Sequence, residues 1–419
     1  YTDDMGKSFK IMQVSLHVDY HALWINPNDN KQMIVGEDGG VGQTRDGGKT
    51  WEHLNSLPLA QFYAVTYDNR KPYYVYGGLQ DNGCWGGPTQ TTRGGVAFWD
   101  WYGIGGGDGF HVQVDPNDWT TVYSESQGGA IQRLDQKNGG SRGIQPRPPQ
   151  GERYRFNWSS PIFLSPFNSK TVYFGGNKLF KSVNRGDTWK VISPDLSRNE
   201  PDRQGPRFEG GVTDERTGAE THGTIVTISE SPLKQGLIYV GTDDGLVHVT
   251  QDDGATWTNL TDNVPGLPKY TWCSRVTASK FSEGRVYATF DGHRNDDRKS
   301  YAYVSEDYGK TWKSLSGALP EGDVAYVIKE GEKNPDLLML GTEVSLWISL
   351  DRGQNWSRFR AGGFPTVSVH DLVIQPRELD LIVGTHGRGI YLLNLTGLEE
   401  MTAANLEKDA VLARPQAVY

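Results

Sequence analysis

At 419 residues the chain is long for one ordinary core, and its 52 glycines with 11% aromatic residues favour many short strands joined by tight turns over a helical architecture. The net charge of −9, from 42 basic and 51 acidic residues spread along the chain, contains no basic run that would track phosphates, which argues against nucleic acid as a partner. No stretch reaches the ~18 uninterrupted apolar residues of a membrane-spanning helix, and Cys84 and Cys273 show neither CxxC nor metal-ligand spacing and read as free thiols.

The first element met along the chain is "TDDMGKSF" from Thr2. Its pattern returns as "TRDGGKTW" from Thr44, "SVNRGDTW" from Ser182, "TQDDGATW" from Thr250, "SEDYGKTW" from Ser305 and "SLDRGQNW" from Ser349. The consensus is S/T-x-D/N-x-G-x-S/T-W, with Phe9 in place of Trp and Asn355 in place of the second hydroxyl residue. A carboxylate or amide can bond the backbone of its own turn, the Gly two residues on can take positive φ, and the Trp ring can tuck between sheets. Chemistry would hardly be needed six times in separate places. Asp4, Asp46, Asn184, Asp252, Asp307 and Asp351 are therefore expected to be structural.

Around the motifs lies a larger unit. A first strand ends near Pro or Asp, as in "YHALWINP", "FHVQVDP" and "VHDLVIQP", and a second closes on a glycine turn, as in "MIVGEDGG", "YYVYGGLQDNG", "TVYFGGN", "LIYVGTDDG", "LLMLGTE" and "LIVGTHGRG". Eight second strands can be counted. A third strand leads into the motif and a fourth begins at its Trp. Four antiparallel strands per roughly 45–50 residues make a propeller blade, so the fold class is all-β, a β-propeller of seven or eight blades over residues 1–395. The last unit, from about Val367 to Leu395, supplies three strands, whereas residues 1–16 supply an orphan motif. The N-terminal strand is thus expected to close the ring in the last blade, although a cut from a longer tandem-propeller chain would leave the same ends. Residues 396–419 read as an extension toward a further domain, with helical character near "LEEMTAANLEKDA". No signal peptide is visible from Tyr1, so the numbering is expected to start after processing or inside a longer chain, and low cysteine usage fits an extracytoplasmic location, periplasmic, cell-surface or secreted.

The repeated S/T-x-D-x-G-x-T-W resembles the Asp-box (BNR-repeat) propellers, which include sialidases, xyloglucanase-type glycoside hydrolases and sortilin-type receptors. The runs "GGLQDNGCWGG", "GGGDGFHVQVDP" and "THGRGIYLL" are similar to bacterial secreted proteins described as sortilin-like or glycosyl-hydrolase-like. An Arg-Ile-Pro signature and an arginine cluster, which the sialidase resemblance would imply, are missing, with only Arg294 and Arg388 at blade mouths.

The motifs occupy third-to-fourth turns, so a central site belongs on the opposite face, served by the turns after each second strand and the residues before each first strand. That face is expected to carry Glu37 and Asp38, Gln80, Asp81 and Asn82 with Trp85, Asp108 with Phe110 and His111, Glu125, Asn177, Glu220 and His222, Asp243 and Asp244, Asp291 and His293, Glu343, His370 and Asp371, and His386 with Arg388. The stretch from 79 to 110 adds Trp99 and Trp101. It reads either as a loop covering a blade edge or as a sugar platform on which rings stack while acids and amides take hydroxyl hydrogen bonds. A second long loop, 193–224, reads as a cleft wall. A glycosidase needs two carboxyl groups ~5–5.5 or ~6.5–9.5 Å apart. Acids at inner-strand mouths are what the xyloglucanase resemblance implies, which makes Asp108 with Glu220 the candidate catalytic pair. Clustered oxygens in "GTDDG" and "EDGG" allow Ca²⁺, and no other cofactor is indicated. The expected partner is a polysaccharide or, in a sortilin-like scaffold, a protein.

Overall fold

The computed structural model describes residues 1–413 except 3, 15, 55 and 205–220. The chain is nearly all-β and forms eight antiparallel sheets in which neighbouring strands are consecutive in sequence, the blades of a β-propeller. It divides into two compact units, Tyr1–Ala60 and Gln61–Tyr419. Among the described residues no helix is long and apolar enough to cross a membrane.

The first unit holds one sheet, with strands Tyr20–Ile25, Met33–Glu37, Gly40–Thr44 and Glu52–His53. Before it, Tyr1 and Lys10 exchange two backbone hydrogen bonds around the first turn motif. Its strand Tyr20–Ile25 is exposed along its whole length.

The second unit holds seven sheets. The second sheet comprises Phe62–Tyr67, Tyr74–Leu79, Gly83–Pro88 and Tyr102–Gly105, and the third Gly109–Asp115, Asp118–Ser126, Ala130–Asp135 and Gly140–Gly143. The fourth comprises Ile162–Leu164, Val172–Gly175, Leu179–Ser182 and Lys190–Val191, and the fifth Ile225–Glu230, Ile238–Thr242, Val247–Thr250 and Thr258–Asn259. The sixth comprises Trp272–Ala278, Val286–Asp291, Tyr301–Ser305 and Lys313–Ser314, and the seventh Ala325–Glu330, Leu338–Thr342, Leu346–Ser349 and Ser357–Arg358. The eighth comprises Val369–Gln375, Asp380–Thr385 and Ile390–Asn394. Second strands are the most apolar and are buried on both faces, as in Ile238–Thr242 and Leu338–Thr342, because a sheet packs on each side of them. The core accordingly lies between sheets: Tyr239, Val249, Val276 and Phe290 fill the space from fifth to sixth, and Val327, Met339, Leu372 and Val383 that from seventh to eighth.

All six turn motifs form one hydrogen-bond network. In the fifth sheet, Asp252 Oδ1 accepts from Thr250 Oγ1 at 2.8 Å and Thr256 N at 2.8 Å, Oδ2 accepts from Thr256 Oγ1 at 2.6 Å, and Gly254 N donates to Thr250 Oγ1 at 2.9 Å. The same bonds recur at Asp4, Asp46, Asp307 and Asp351, and at Asn184 Oδ1 accepts from Ser182 Oγ and Thr188 N while Nδ2 donates to Thr188 Oγ1 at 2.9 Å. Asn355, the departure from the consensus, supplies its amide Nδ2 to Asp351 Oδ2 at 2.7 Å in place of the hydroxyl. The backbone N–H and hydroxyl of Thr50 hold the Asp46 carboxyl down at about 2. Gly254 is obligatory twice over. Its φ is +91°, and a Cβ there would lie 2.3 Å from the carbonyl oxygen of Ile192, the residue that follows the fourth strand of the preceding sheet. Trp257 donates Nε1 to that same oxygen at 2.9 Å. Trp189 and Trp356 make the same tie to the blade before, through Ile144 O at 2.6 Å and Leu315 O at 2.9 Å, whereas Trp312 donates to Gly309 O of its own turn.

The second unit closes on itself between its first and last sheets. Val65 N donates to Asp371 Oδ2 at 2.9 Å, Tyr73 OH to Asp380 Oδ2 at 2.9 Å, and Arg377 Nη1 and Nη2 to the carbonyls of Asn69 and Arg70 at 3.0 and 2.8 Å. Within the second unit the eighth sheet has three strands, and side-chain and inner-strand bonds hold this seam. After the last strand come two single-turn helices, Thr396–Glu399 and Ala403–Leu406, in place of the continuous helical stretch read from the sequence. The buried Glu399 carboxylate accepts from Glu332, Lys333 and Asn334 N–H, anchoring this segment to a turn of the seventh sheet.

Candidate functional site

A regular irregularity builds the site. In the second, fifth, sixth, seventh and eighth sheets the pairing of first and second strands slips by one residue near the start of the first strand. The residues left out of the ladder are Tyr63, Val226, Ser274, Tyr326 and His370. A β-bulge turns the unpaired side chain away from the ladder, and all five line one cavity of about 490 Å³ in the second unit. In four of these sheets the second strand places a glycine opposite the slip, Gly78, Gly241, Gly341 and Gly384, and in the sixth Thr289 stands there. A Cβ at Gly78 would come within 2.3 Å of Phe110 backbone, and one at Gly341 within 2.6 Å of Val369. Glycine there lets the next inner strand approach closely, which narrows the ring around its axis.

The cavity wall is largely aromatic. Besides Tyr63, Tyr326 and His370 it includes Phe110, Trp158 and Trp272. The His370 and His386 rings stack with centroids 4.4 Å apart and planes 6° apart, Tyr326 lies 4.6 Å from His370, and Tyr63 lies 5.2 Å from His386 and 4.7 Å from Phe110. Burial, with the neighbouring His386 and Arg275, pushes His370 well below the usual histidine range, and burial with Arg275 lowers His111 to about 4. These rings are therefore neutral at pH 7. Arg275 Nη2 pairs with Asp371 Oδ1 at 2.9 Å, linking inner strands of the sixth and eighth sheets. Asp291 accepts from His293 Nδ1 at 2.6 Å, the Arg294 guanidinium lies 4.1 Å from the Trp272 ring, and Tyr326 OH donates to Glu343.

Of the residues expected on that face, Phe110, His111, Asp291, His293, Glu343, His370 and His386 line this cavity. Asp108 is not among its lining residues. It is 8% exposed, and its carboxylate accepts from Asp81 N at 2.6 Å and Gln127 Nε2 at 3.0 Å, so it staples a loop. Glu220 lies outside the described residues. The buried Asp243 carboxylate accepts from Gly223 N, Thr224 N and Oγ1, and Asn157 Nδ2, while Asp244 accepts from Thr242 Oγ1 and Arg198 N. Burial raises both, Asp243 well above the carboxylate range. With their oxygens committed to N–H and O–H donors, the pair does not fit a calcium cage, and among the described residues no three His, Cys, Asp or Glu are grouped to hold a metal. His222 is buried, and among the described residues neither ring nitrogen has a hydrogen-bond partner. Asn82 bonds Trp85 Nε1 through its carbonyl, and Arg388 is exposed outside the cavity lining.

Trp99 and Trp101 are displaced to the other face. They lie in the connection from Gly83–Pro88 to Tyr102–Gly105, a third-to-fourth turn like those of the Asp motifs, and Trp99 is 75% exposed. The second sheet lacks the motif, so the sequence offered no mark of where its turn lies. Conversely Tyr63, Trp158, Trp272, Ser274, Arg275 and Tyr326 went unnoticed. The signal that finds Tyr63 and Tyr326 is the glycine in the second strand together with the residues opening the first strand; Trp158, Trp272, Ser274 and Arg275 carry no such mark, Thr289 standing at the glycine's place in the sixth sheet. Cys84 and Cys273 are buried and free, and burial pushes the Cys84 thiol up to about 12.

Asp108→Asn is expected to cost about 1–3 kcal/mol by weakening acceptance of two buried donors, with ligand binding by the folded protein unchanged. A urea titration checks the first and a binding titration the second. An unaltered midpoint with lost binding would return Asp108 to the site.

Comparison with known proteins gives one family match, to the model described as "Sortilin, neurotensin receptor 3", over residues 300–396, the last strands of the sixth sheet through the eighth. No curated protein matches. Among solved structures, YCF48 from Cyanidioschyzon merolae is similar with TM-score 0.46 and 12% identity, covering 91% of this chain and 97% of that one. YCF48 bound to D1 peptide gives 0.44 and 11%, covering 91% and 93%. The Niastella koreensis GH74 enzyme gives 0.30 and 14%, covering 89% and 67%. The chain is a β-propeller that resembles sortilin over residues 300–396.

Proposed function

We propose that this chain is an extracytoplasmic propeller that binds polysaccharide in the central cavity of its second unit, on the face opposite the Asp motifs. The observation that carries the reading is the cavity wall itself. Trp158, Trp272, Tyr63, Tyr326 and the stacked His370 and His386 offer ring faces for the apolar sides of pyranoses, and Asn157, Ser274, Asp291 and Glu343 offer fixed partners for hydroxyls. Binding is favoured over hydrolysis because Asp108, Asp243 and Asp244 are spent on loop hydrogen bonds. Titration of intrinsic fluorescence with plant, algal and bacterial glycans tests the reading. Trp158→Ala is expected to weaken the best ligand tenfold or more, and absence of binding across the panel sinks it.

A specific observation favours a second reading, a protein partner. Tyr20, Leu23, Trp24 and Ile25 expose apolar surface along one strand of the first unit. Recovery of the chain from its native organism without any co-purifying protein would count against that reading.

A further inference from the structure

Resting on the reading of the cavity as a saccharide site, we infer that it selects uncharged saccharides and turns away those that carry carboxylates. The argument is one of charge already committed. Two guanidiniums line the cavity, and an acidic sugar would need one of them. Arg275 is paired with Asp371, and that carboxylate is pinned in turn by Val65 N on Oδ2 at 2.9 Å and Leu372 N on Oδ1 at 3.0 Å. Turning Arg275 to a ligand carboxylate would leave the pinned, buried Asp371 carboxylate without its cation. Arg294 is laid against the Trp272 ring at 4.1 Å and has Nη1 3.5 Å from Asp291 Oδ2. Asp291 is held as well by His293, through Nδ1 at 2.6 Å and N at 3.0 Å.

What remains is negative. Glu343 lines the cavity, accepts a hydrogen bond from Tyr326 OH, and has no ion-pair partner among the described residues. His111, His370 and His386 supply no compensating charge, since burial keeps them neutral. An entering carboxylate therefore loses its hydration beside an unbalanced carboxylate, in surroundings of low effective dielectric. A hydroxyl meets the opposite situation, because carboxylate oxygens, imidazole nitrogens and the hydroxyls of Ser274 and Ser368 accept or donate to it without a change of charge. Exclusion of the acidic analogue is thus built into the same groups that receive the neutral one.

The test uses matched pairs of oligosaccharides: gluco-, galacto- and xylo-oligomers, each beside a counterpart bearing uronic acids, titrated into the whole chain at pH 7. The neutral member of the binding pair is expected to bind at least tenfold tighter. In Glu343→Gln the neutral-to-acidic affinity ratio is expected to fall about tenfold, whatever happens to the absolute affinities. An acidic member that binds as tightly as its neutral twin, or a ratio unmoved by Glu343→Gln, overturns the inference while leaving the saccharide site standing. Binding of neither member of any pair removes both.

Discussion

Replacing Trp356 by alanine is expected to lower the unfolding free energy by about 4 kcal/mol, the largest loss of any turn-motif tryptophan. The ring is 8% exposed and packs with Leu315, Ala325, Leu340 and Trp347 in the core between the sixth and seventh sheets. Its Nε1 donates to Leu315 O at 2.9 Å, so truncation opens a cavity and strands a carbonyl together. Leu315 follows the fourth strand of the sixth sheet, just as Ile192 follows that of the fourth. The damage therefore falls on the joint between two blades. Trp257, expected from sequence to be equally buried, is only half-buried against Ile192 and its neighbours, and its removal is expected to cost less, about 2 kcal/mol. Trp99→Ala, at an exposed position, serves as the control and should stay within ~0.5 kcal/mol of the parent. Guanidinium titrations of the three variants check the order. A Trp356→Ala protein that unfolds with Trp99→Ala would mean that the turn motif does not join blades.

The fold was legible because its repeat is short and its staple is chemically distinctive. A carboxylate that accepts three bonds within eight residues can be recognised without tertiary information, as at Asp252 and Asp307. Strand number and the place of the motifs in third-to-fourth turns followed from counting turns. The site was legible only in part, since its position depends on two things that spacing does not encode. One is the bulge, which decides that Tyr326 and His370 leave the ladder while Val327 and Leu372 stay in the core. The other is whether an acid at a strand mouth is free or already taken. Asp108 and Asp243 look like site residues in sequence, but the backbone N–H groups of Asp81, Gly223 and Thr224 converge on them only after the blades have assembled. The glycine-rich run 105–109 shapes the chain around Asp108 as a turn into the third sheet, the plain alternative that the sequence left open.

Asp371→Asn is expected to cost about 3 kcal/mol and to loosen one seam selectively. The carboxylate is 5% exposed and collects three donors, Arg275 Nη2, Val65 N and Leu372 N. Removing one member of a buried ion pair leaves the other uncompensated, which is costlier than the pair's net contribution. Here the remaining guanidinium of Arg275 sits with its Nε already lacking a partner. Of the three bonds, the one from Val65 spans the seam where the second unit closes, so its weakening should be felt first between the second and eighth sheets. Native-state hydrogen exchange is the direct measurement. Protection at the Val65 amide should fall toward that of a local opening, while the Val240 amide, deep in the fifth sheet, keeps the protection of global unfolding. Adding Arg275→Met to Asp371→Asn removes the orphaned charge and should recover at least a third of the lost stability, because an apolar side chain of similar reach costs less in that position than an unpaired cation. If the double variant is less stable than Asp371→Asn alone by the full cost of losing Arg275, the two residues act independently and the seam is held by Tyr73, Asp380 and Arg377 instead.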